Sequence, residues 1–387
     1  MAERVVLHVG AMKSGTTYLQ DTLRVNRTRL ADQGVLLPAG ERAGAHQAAA
    51  LNALGRETDG AARDLRGTWD RLVRESREWP GTVVISSEML APAGPRQIDR
   101  IAEDLGPVEV VLTLRDLNRS IVAMWQETVQ NGRAWTWGEY LRGVELGRPG
   151  TWDGPREELP AAARTFWRQQ GAARLGRRWS RAGRVHVVTV PHPGAAPTLL
   201  LERFAEVAAF DPGGFEAARR GNASLGAAST EVLRRMNALL DERGMRFPLG
   251  QRLRKRVLAK SIMPRLGVED PRLGLPVHDW VREHAEGMTT ILRGQDPVLH
   301  GDWSDLEPVP VKGVDASAVD VDLVAAAAVM AYRRFRRKVG EVGGPDELAG
   351  LEDPEEAATA AVRGLADLVE RSYRQATPAR RVDRYGY

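Results

Sequence analysis

Residues Val5 to Gln20 read VVLHVGAMKSGTTYLQ. An apolar run leads into a glycine-rich turn that carries one lysine, and the turn leads into a helical pattern. Strand, glycine loop and helix in that order aim backbone N–H groups and the positive end of a helix at an anion, which is how proteins cradle phosphate. The common nucleoside-triphosphate loop is G-x-x-x-x-G-K-[ST], with lysine directly after the second glycine. Gly10 and Gly15 keep that spacing, but Thr16 holds the lysine position and the lysine sits three residues earlier, at Lys13. The cradle is kept and the cation is re-aimed, so a different phosphorylated ligand is expected.

Composition sharpens the reading of Lys13. Only five residues are lysine (Lys13, Lys255, Lys260, Lys312 and Lys338), out of 55 lysines and arginines together. The chain writes its surface cations as arginine. A compact ammonium that must face a leaving oxygen does a job that a planar guanidinium does less well.

Four segments read as buried parallel strands that would carry these residues: Arg4 to Val9, Thr82 to Ser87, Val108 to Leu114 and Arg184 to Val190. Each is short, rich in Val, Leu and Ile, and without clean alternation, the pattern of strands covered on both faces. Helical patterns lie between them, at Thr16 to Gln33, Arg63 to Glu78, Leu117 to Asn131 and Leu159 to Arg181. The alternation predicts a three-layer α/β fold of P-loop type, a central parallel sheet flanked by helices, with ligands beyond the carboxyl ends of the strands. Lys13, Glu88 and Arg115 each follow one of those strands. After Pro191 strand signals fade and helical ones continue to Ala376, which divides the chain into a core over 1–245 and a helical C-terminal extension over 246–387 that works with it as one unit. Glu341 to Pro354 reads as a linker and the last residues, TPARRVDRYGY, as a polar tail.

Bulk properties narrow the function classes. With no cysteine, disulfides, Cys-ligated metals and thiol nucleophiles are excluded. The net charge of +4 gives no argument for a nucleic-acid partner and fits a multiply charged anionic ligand. The start of the chain is too acidic and its apolar run too short for a secretory signal, and the longest apolar run, near Leu323 to Ala331, falls short of the roughly 20 residues of a membrane helix. A soluble, cytoplasmic protein is expected, and the Ala, Arg and Gly bias points to a bacterial gene.

With the loop and the third strand side by side, a family resemblance appears. GAMKSGTTYLQ resembles the 5′-phosphosulfate loop of sulfotransferases that use 3′-phosphoadenosine 5′-phosphosulfate (PAPS), and VVLTLRDLNRSIVAMWQE, Val110 to Glu127, resembles their 3′-phosphate motif. Looser likenesses to a bacterial branch of that superfamily lie in VHVVTVPHPGA, NASLG and HGDWSDLEP, and the two nucleotide motifs span roughly a tenth of the chain. The resemblance implies that Lys13 holds the bridging oxygen and stabilises the departing product nucleotide (PAP). It implies that Ser14, Gly15, Thr16 and Thr17 wrap the 5′-phosphate, that Arg115 binds the 3′-phosphate, and that no metal is needed. A bidentate guanidinium at the end of a buried strand independently suits a terminal phosphate, unless Arg115 pairs with Asp116 or another local acid. The family's serine eight residues after this arginine is Ala123 here, and Ser120, one turn earlier, is the candidate substitute. Arg219, Arg220 and Ser224 are candidates for the family's late loop over the nucleotide.

The transfer also needs a base for the acceptor proton. Glu88, in VVISSEML, is the first candidate, and His46, in GAHQAAALNAL, the rival; His8 inside the first strand reads as a hydrogen-bonded core residue. Ser86 and Ser87 either line the sulfonate pocket or cap the next turn. Tyr18 either stacks on adenine or packs on the first strand. Trp125, Trp137, Trp135 and Trp152 form either an acceptor pocket or ordinary core, with core favoured. The resulting expectation is a PAPS-dependent sulfotransferase acting on a small-molecule or carbohydrate-like acceptor. The alternatives are a P-loop kinase or NTPase with a degenerate loop, disfavoured by Thr16, and a non-catalytic PAP-binding protein. The helical C-terminal third reads as a lid, a dimer surface or both, which leaves a homodimer open.

Overall fold

The computed structural model describes residues 2–40, 42–58, 63–150, 152, 154–155, 157–217, 224–341 and 348–376. The expected tail and residues 342–347 of the expected linker, with Arg219 and Arg220, lie outside the described residues. The chain divides into two compact units. The first takes Met1–Met124, Gly143–Asn222 and Val277–Pro310; the second takes Trp125–Arg142, Ala223–Pro276 and Val311–Tyr387.

The first unit is an α/β unit built on six strands: β1 (Arg4–Gly10), β2 (Val35–Leu36), β3 (Thr82–Ser86), β4 (Val108–Leu114), β5 (Gly183–Thr189) and β6 (Val298–His300). They lie in the order β2-β3-β1-β4-β5-β6, and every neighbouring pair is parallel. Alternation along β1 explains the layers. Val5, Leu7 and Val9 face one apolar cluster, which also takes Ala49 and Ala50, Trp69 and Leu72, Ile98 and Ile101, and Leu175 and Trp179 from four helices. Val6 faces the other, with Leu19 and Leu23 of the helix Thr16–Val25 and Leu200 and Phe204 of the helix Leu199–Ala208. A sheet buried on both faces needs apolar side chains at even and odd positions, which is what the Val-rich strands supply. The sheet changes its direction of growth between β1 and β4, and such a switch opens a crevice beyond the strands' carboxyl ends.

Several elements differ from the sequence expectation for physical reasons. The helix expected to Gln33 is interrupted at Asn26, whose side-chain amide donates to Thr22 O at 2.8 Å and Glu216 O at 2.9 Å and competes with the helical ladder. The helix expected over Leu159 to Arg181 is two, Ala161–Gln170 and Ala172–Trp179, broken at Gly171. The connection carrying His46 is itself helical, Ala45–Ala53, as befits an alanine-rich run. Strand β6 lies beyond residue 245, so a stretch assigned to the helical extension, Val277–Pro310, belongs to the first unit. Strands of two and three residues carry too little periodicity to be read.

The second unit is mostly helical. Its helices include Ala227–Glu242, the π-type helix Arg252–Ile262, Val321–Lys338 and Pro354–Ala376, and its two-residue strands Leu273–Gly274 and Val314–Asp315 pair in parallel. Small residues line its seams: Ala327, Ala328 and Ala331 of one helix and Ala358, Ala361 and Gly364 of the next are buried, and a Cβ on Gly364 would stand 2.5 Å from Tyr332. Trp125 and Trp137 pack edge to face at 5.1 Å and are 1% and 6% exposed, so both belong to a core. Among the described residues no helix is long and apolar enough to cross a membrane.

Leu23 is fully buried on the inner face of the helix that leads out of the glycine loop. Leu23→Ala is expected to destabilise the protein by about 2–5 kcal/mol, read as a lowered urea midpoint with an unchanged slope.

Candidate functional site

The loop between β1 and the helix Thr16–Val25 is fixed from below and from the side. Gly10 leaves the strand at φ 113°, and a Cβ there would lie 3.4 Å from the Cβ of Glu88 and 3.5 Å from that of Ala91. The Ala11 N–H donates to Thr113 O on β4 at 2.8 Å, and Gln170 Nε2 donates to Met12 O at 2.7 Å. Lys13 is half-buried and adopts φ 62°, a left-handed conformation that costs a lysine about 1–2 kcal/mol. Gly15 has φ 81°, and a Cβ on it would sit 2.3 Å from Leu200 Cδ2, so the position admits only glycine. Gly15 caps the helix with no side-chain hydrogen bond. The first amides of the helix, at Thr16, Thr17 and Tyr18, therefore have neither an intrahelical acceptor nor a side-chain cap and are open to an anion. Thr16 is buried and Thr17 exposed.

Beneath the loop runs a continuous buried polar thread. Ser14 Oγ bonds Ala11 O and lies 2.7 Å from Thr113 Oγ1. Thr113 Oγ1 lies 3.0 Å from His8 Nε2, and His8 Nδ1 lies 2.8 Å from Ser86 Oγ. The four side chains come from the loop, β4, β1 and β3. His8 touches no carboxylate along this thread, and burial pushes its pKa from 6.5 down to about 3, so the ring is neutral. Ser14 was expected to offer its hydroxyl to the phosphate; that hydroxyl is engaged inside the loop, where it sets the loop's shape.

The two candidate bases differ in availability. His46 Nδ1 accepts from the Ser86 N–H at 3.1 Å, and its Nε2 donates to Pro38 O at 2.6 Å. A backbone N–H on one side and a carbonyl on the other dictate the tautomer, both nitrogens are occupied, and burial lowers the ring's pKa. His46 is thereby tied to the start of the Ser87–Glu88 turn as a support for it. Glu88 opens a single helical turn, Glu88–Leu90, directly after β3. Gln20 Nε2, on the loop helix, donates to Glu88 Oε2 at 2.8 Å and to Ser86 O at 3.3 Å. Glu88 is half-buried and stands beside Gly10. Ser87 Oγ in the same turn is buried with no hydrogen-bond partner.

Arg115 closes the other side of the crevice, at the carboxyl end of β4. Its Nη2 donates to Arg119 O at 2.8 Å, while its Nε is buried and unpartnered. The rival partner is taken: Asp116 forms an ion pair with Arg119 and accepts the Arg119 N–H at 3.0 Å. Arg119 also reaches Pro191 O at 3.1 Å and Val190 O at 3.4 Å. Burial, with Arg119 as a second cause, pulls the Arg115 pKa down to about 10. A guanidinium with a destabilised charge and an unused buried N–H is matched by an anion. Ser120 Oγ, in the first turns of the helix Leu117–Gln130, is likewise buried and unpartnered. The two side chains offered for a 3′-phosphate thus each hold an unsatisfied donor.

Lys13, the loop amides, Glu88 and Arg115 cluster at the carboxyl ends of β1, β3 and β4. Tyr18 packs partly buried against the cluster formed by Val6 and Phe204, and burial raises its pKa. HGDWSDLEP is structural: Asp305 Oδ2 accepts from Thr189 Oγ1 and Arg203 Nη1, both at 2.7 Å. Ser224 is exposed. Gln20 and Thr113 were not singled out from the sequence; the only signal for Thr113 was a hydroxyl inside an otherwise apolar strand. Among the described residues no group of three or more His, Asp or Glu is arranged to hold a metal ion.

The thread has a pH signature. Because the folded-state pKa of His8 lies below the unfolded value, its contribution is complete above pH 6.5 and is lost as pH falls toward about 3. The unfolded chain then takes a proton that the folded chain refuses. His8→Gln is expected to weaken the loss of stability between pH 6.5 and 4.5 by about 2–3 kcal/mol, measured by denaturant titration of both proteins at the two pH values.

Compared with known protein families, curated proteins and solved structures, the chain matches none.

Proposed function

We propose that this chain is a sulfotransferase that moves a sulfuryl group from PAPS to a hydroxyl or amine of a small-molecule or carbohydrate-like acceptor and releases PAP. The observation that carries the reading is the unpartnered, buried Nε of Arg115 at the end of β4, one strand from a glycine loop whose lysine is displaced from the nucleoside-triphosphate position. A donor with phosphates at both its 3′ and 5′ positions calls for two separate anion sites, and the crevice offers two: the loop amides with Lys13, and Arg115 with Ser120.

In this reading the loop and helix amides hold the 5′-phosphate. The acceptor oxygen attacks sulfur, the bond from sulfur to the bridging oxygen breaks, and Lys13 neutralises the charge left on that oxygen. Glu88, oriented by Gln20, receives the acceptor proton. Arg115 and Ser120 engage the 3′-phosphate and so distinguish this donor from a triphosphate. His46, with both nitrogens occupied, supports the turn that carries Glu88.

PAP should raise the melting temperature, while ATP with Mg²⁺ should not; stabilisation by ATP alone would sink the reading and favour a kinase or NTPase. Arg115→Ala is expected to weaken PAP by roughly 10- to 100-fold and leave 5′-AMP, which lacks the 3′-phosphate, unchanged. Equal losses for both nucleotides by calorimetry would remove Arg115 from that role.

Turnover separates enzyme from binder. Lys13→Ala is expected to lower kcat by about 10²–10³-fold, and Glu88→Gln by about 10²–10⁴-fold with PAP binding retained. His46→Ala should cost stability more than rate. Transfer of labelled sulfate across an acceptor panel reads all three variants, and PAP binding without transfer by the native protein would leave a nucleotide-binding protein.

A further inference from the structure

Three arginines near the glycine loop have no acid partner among the described residues. Arg168 lies on the helix Ala161–Gln170, and Arg174 and Arg178 on the helix Ala172–Trp179. Both helices touch the site. Gln170 donates to Met12 O in the loop, and Arg178 donates to Ala91 O, where Ala91 is the residue whose Cβ lies 3.5 Å from a Cβ on Gly10. Arg178 therefore stands beside the turn that begins at Glu88.

Some arginines of the same unit close on acids: Arg119 on Asp116, Arg181 on Asp99 and Arg203 on Asp305. Arg168, Arg174 and Arg178 form no ion pair with a described residue. Arg174 and Arg178 are four residues apart on one helix, a spacing at which like charges repel. Burial and then the charges of Arg168 and Arg174 push the Arg178 pKa down. Arg178 is half-buried, and its Nε is buried without a partner. An anion in their midst would relieve the repulsion.

We propose that Arg168, Arg174 and Arg178 hold an anionic group of the acceptor, a carboxylate or sulfate borne on a sugar, so that its hydroxyl meets Glu88 and the loop. This rests on the sulfotransferase reading for the word acceptor; the anion site itself stands on the arginines. No covalent step beyond the sulfuryl transfer is involved.

The test uses the full chain without nucleotide, with tetragalacturonate as the acidic probe and maltotetraose as its neutral counterpart, followed by calorimetry. The acidic probe is expected to bind and the neutral one to bind at least roughly tenfold more weakly. Arg168→Gln/Arg174→Gln, at two exposed positions, should weaken the acidic probe by at least roughly tenfold, with the PAP-induced melting shift unchanged. Equal binding of the two probes, or equal binding by the double variant and the native protein, overturns the proposal. If PAP stabilises the native protein and the probes are not discriminated, this inference alone fails. If the acidic probe binds through the arginines but PAP stabilises nothing, the anion site stands and the transfer reading falls.

Discussion

One uncharged imidazole joins three strands. His8 sits in β1, meets Ser86 at the end of β3 and Thr113 near the end of β4, and through Thr113 reaches Ser14 in the loop. In a low-dielectric interior a satisfied chain of this kind is rigid, and the loss of one member would leave its neighbours buried and unpaired. The loop, the turn that bears Glu88 and the strand that ends in Arg115 therefore share one origin. The glycines permit the loop's path, but the thread below selects it. A charged ring is opposed here by burial, with no carboxylate along the thread to offset its desolvation.

Charge is distributed around that neutral centre in a consistent way. Two acids of the neighbourhood are committed to structure, Asp116 to Arg119 and Asp305 to Arg203 and Thr189, while Glu88 accepts from the neutral Gln20 amide. Arg115, at the carboxyl end of β4, is held instead by a neutral group, the Arg119 carbonyl. Helix amides add to the same positive field. A crevice arranged in this way attracts anions before any specific contact is made.

Much of this was legible in the sequence, and what was not has physical causes. β4 fell where the apolar run placed it, and β1, β3 and β5 shifted by no more than a residue at either end, because short strands rich in branched residues and buried on both faces leave few other options. β2 and β6 were missed because two or three residues have no periodicity. Asn26 and Gly171 broke helices through a side-chain hydrogen bond and a backbone turn that a hydrophobic pattern cannot register. At the site, Gly10, Lys13, Gly15 and Arg115 could be read because loop chemistry fixes their spacing. Gln20, Thr113 and the bond from Ser86 to His46 depend on residues 40 to 105 positions apart meeting in space, and no local pattern encodes that.

The hold on Arg115 has a remote dependence. The carbonyl that receives it belongs to Arg119, and the head group of Arg119 is moored to the carbonyls of Val190 and Pro191, where the chain leaves β5. A lengthened or re-routed turn at 190–197 would withdraw two carbonyls from the Arg119 head group and leave Asp116 to hold it. Lesions there, more than seventy residues downstream, would alter the surroundings of Arg115 in a protein whose loop, lysine and glycines were all untouched.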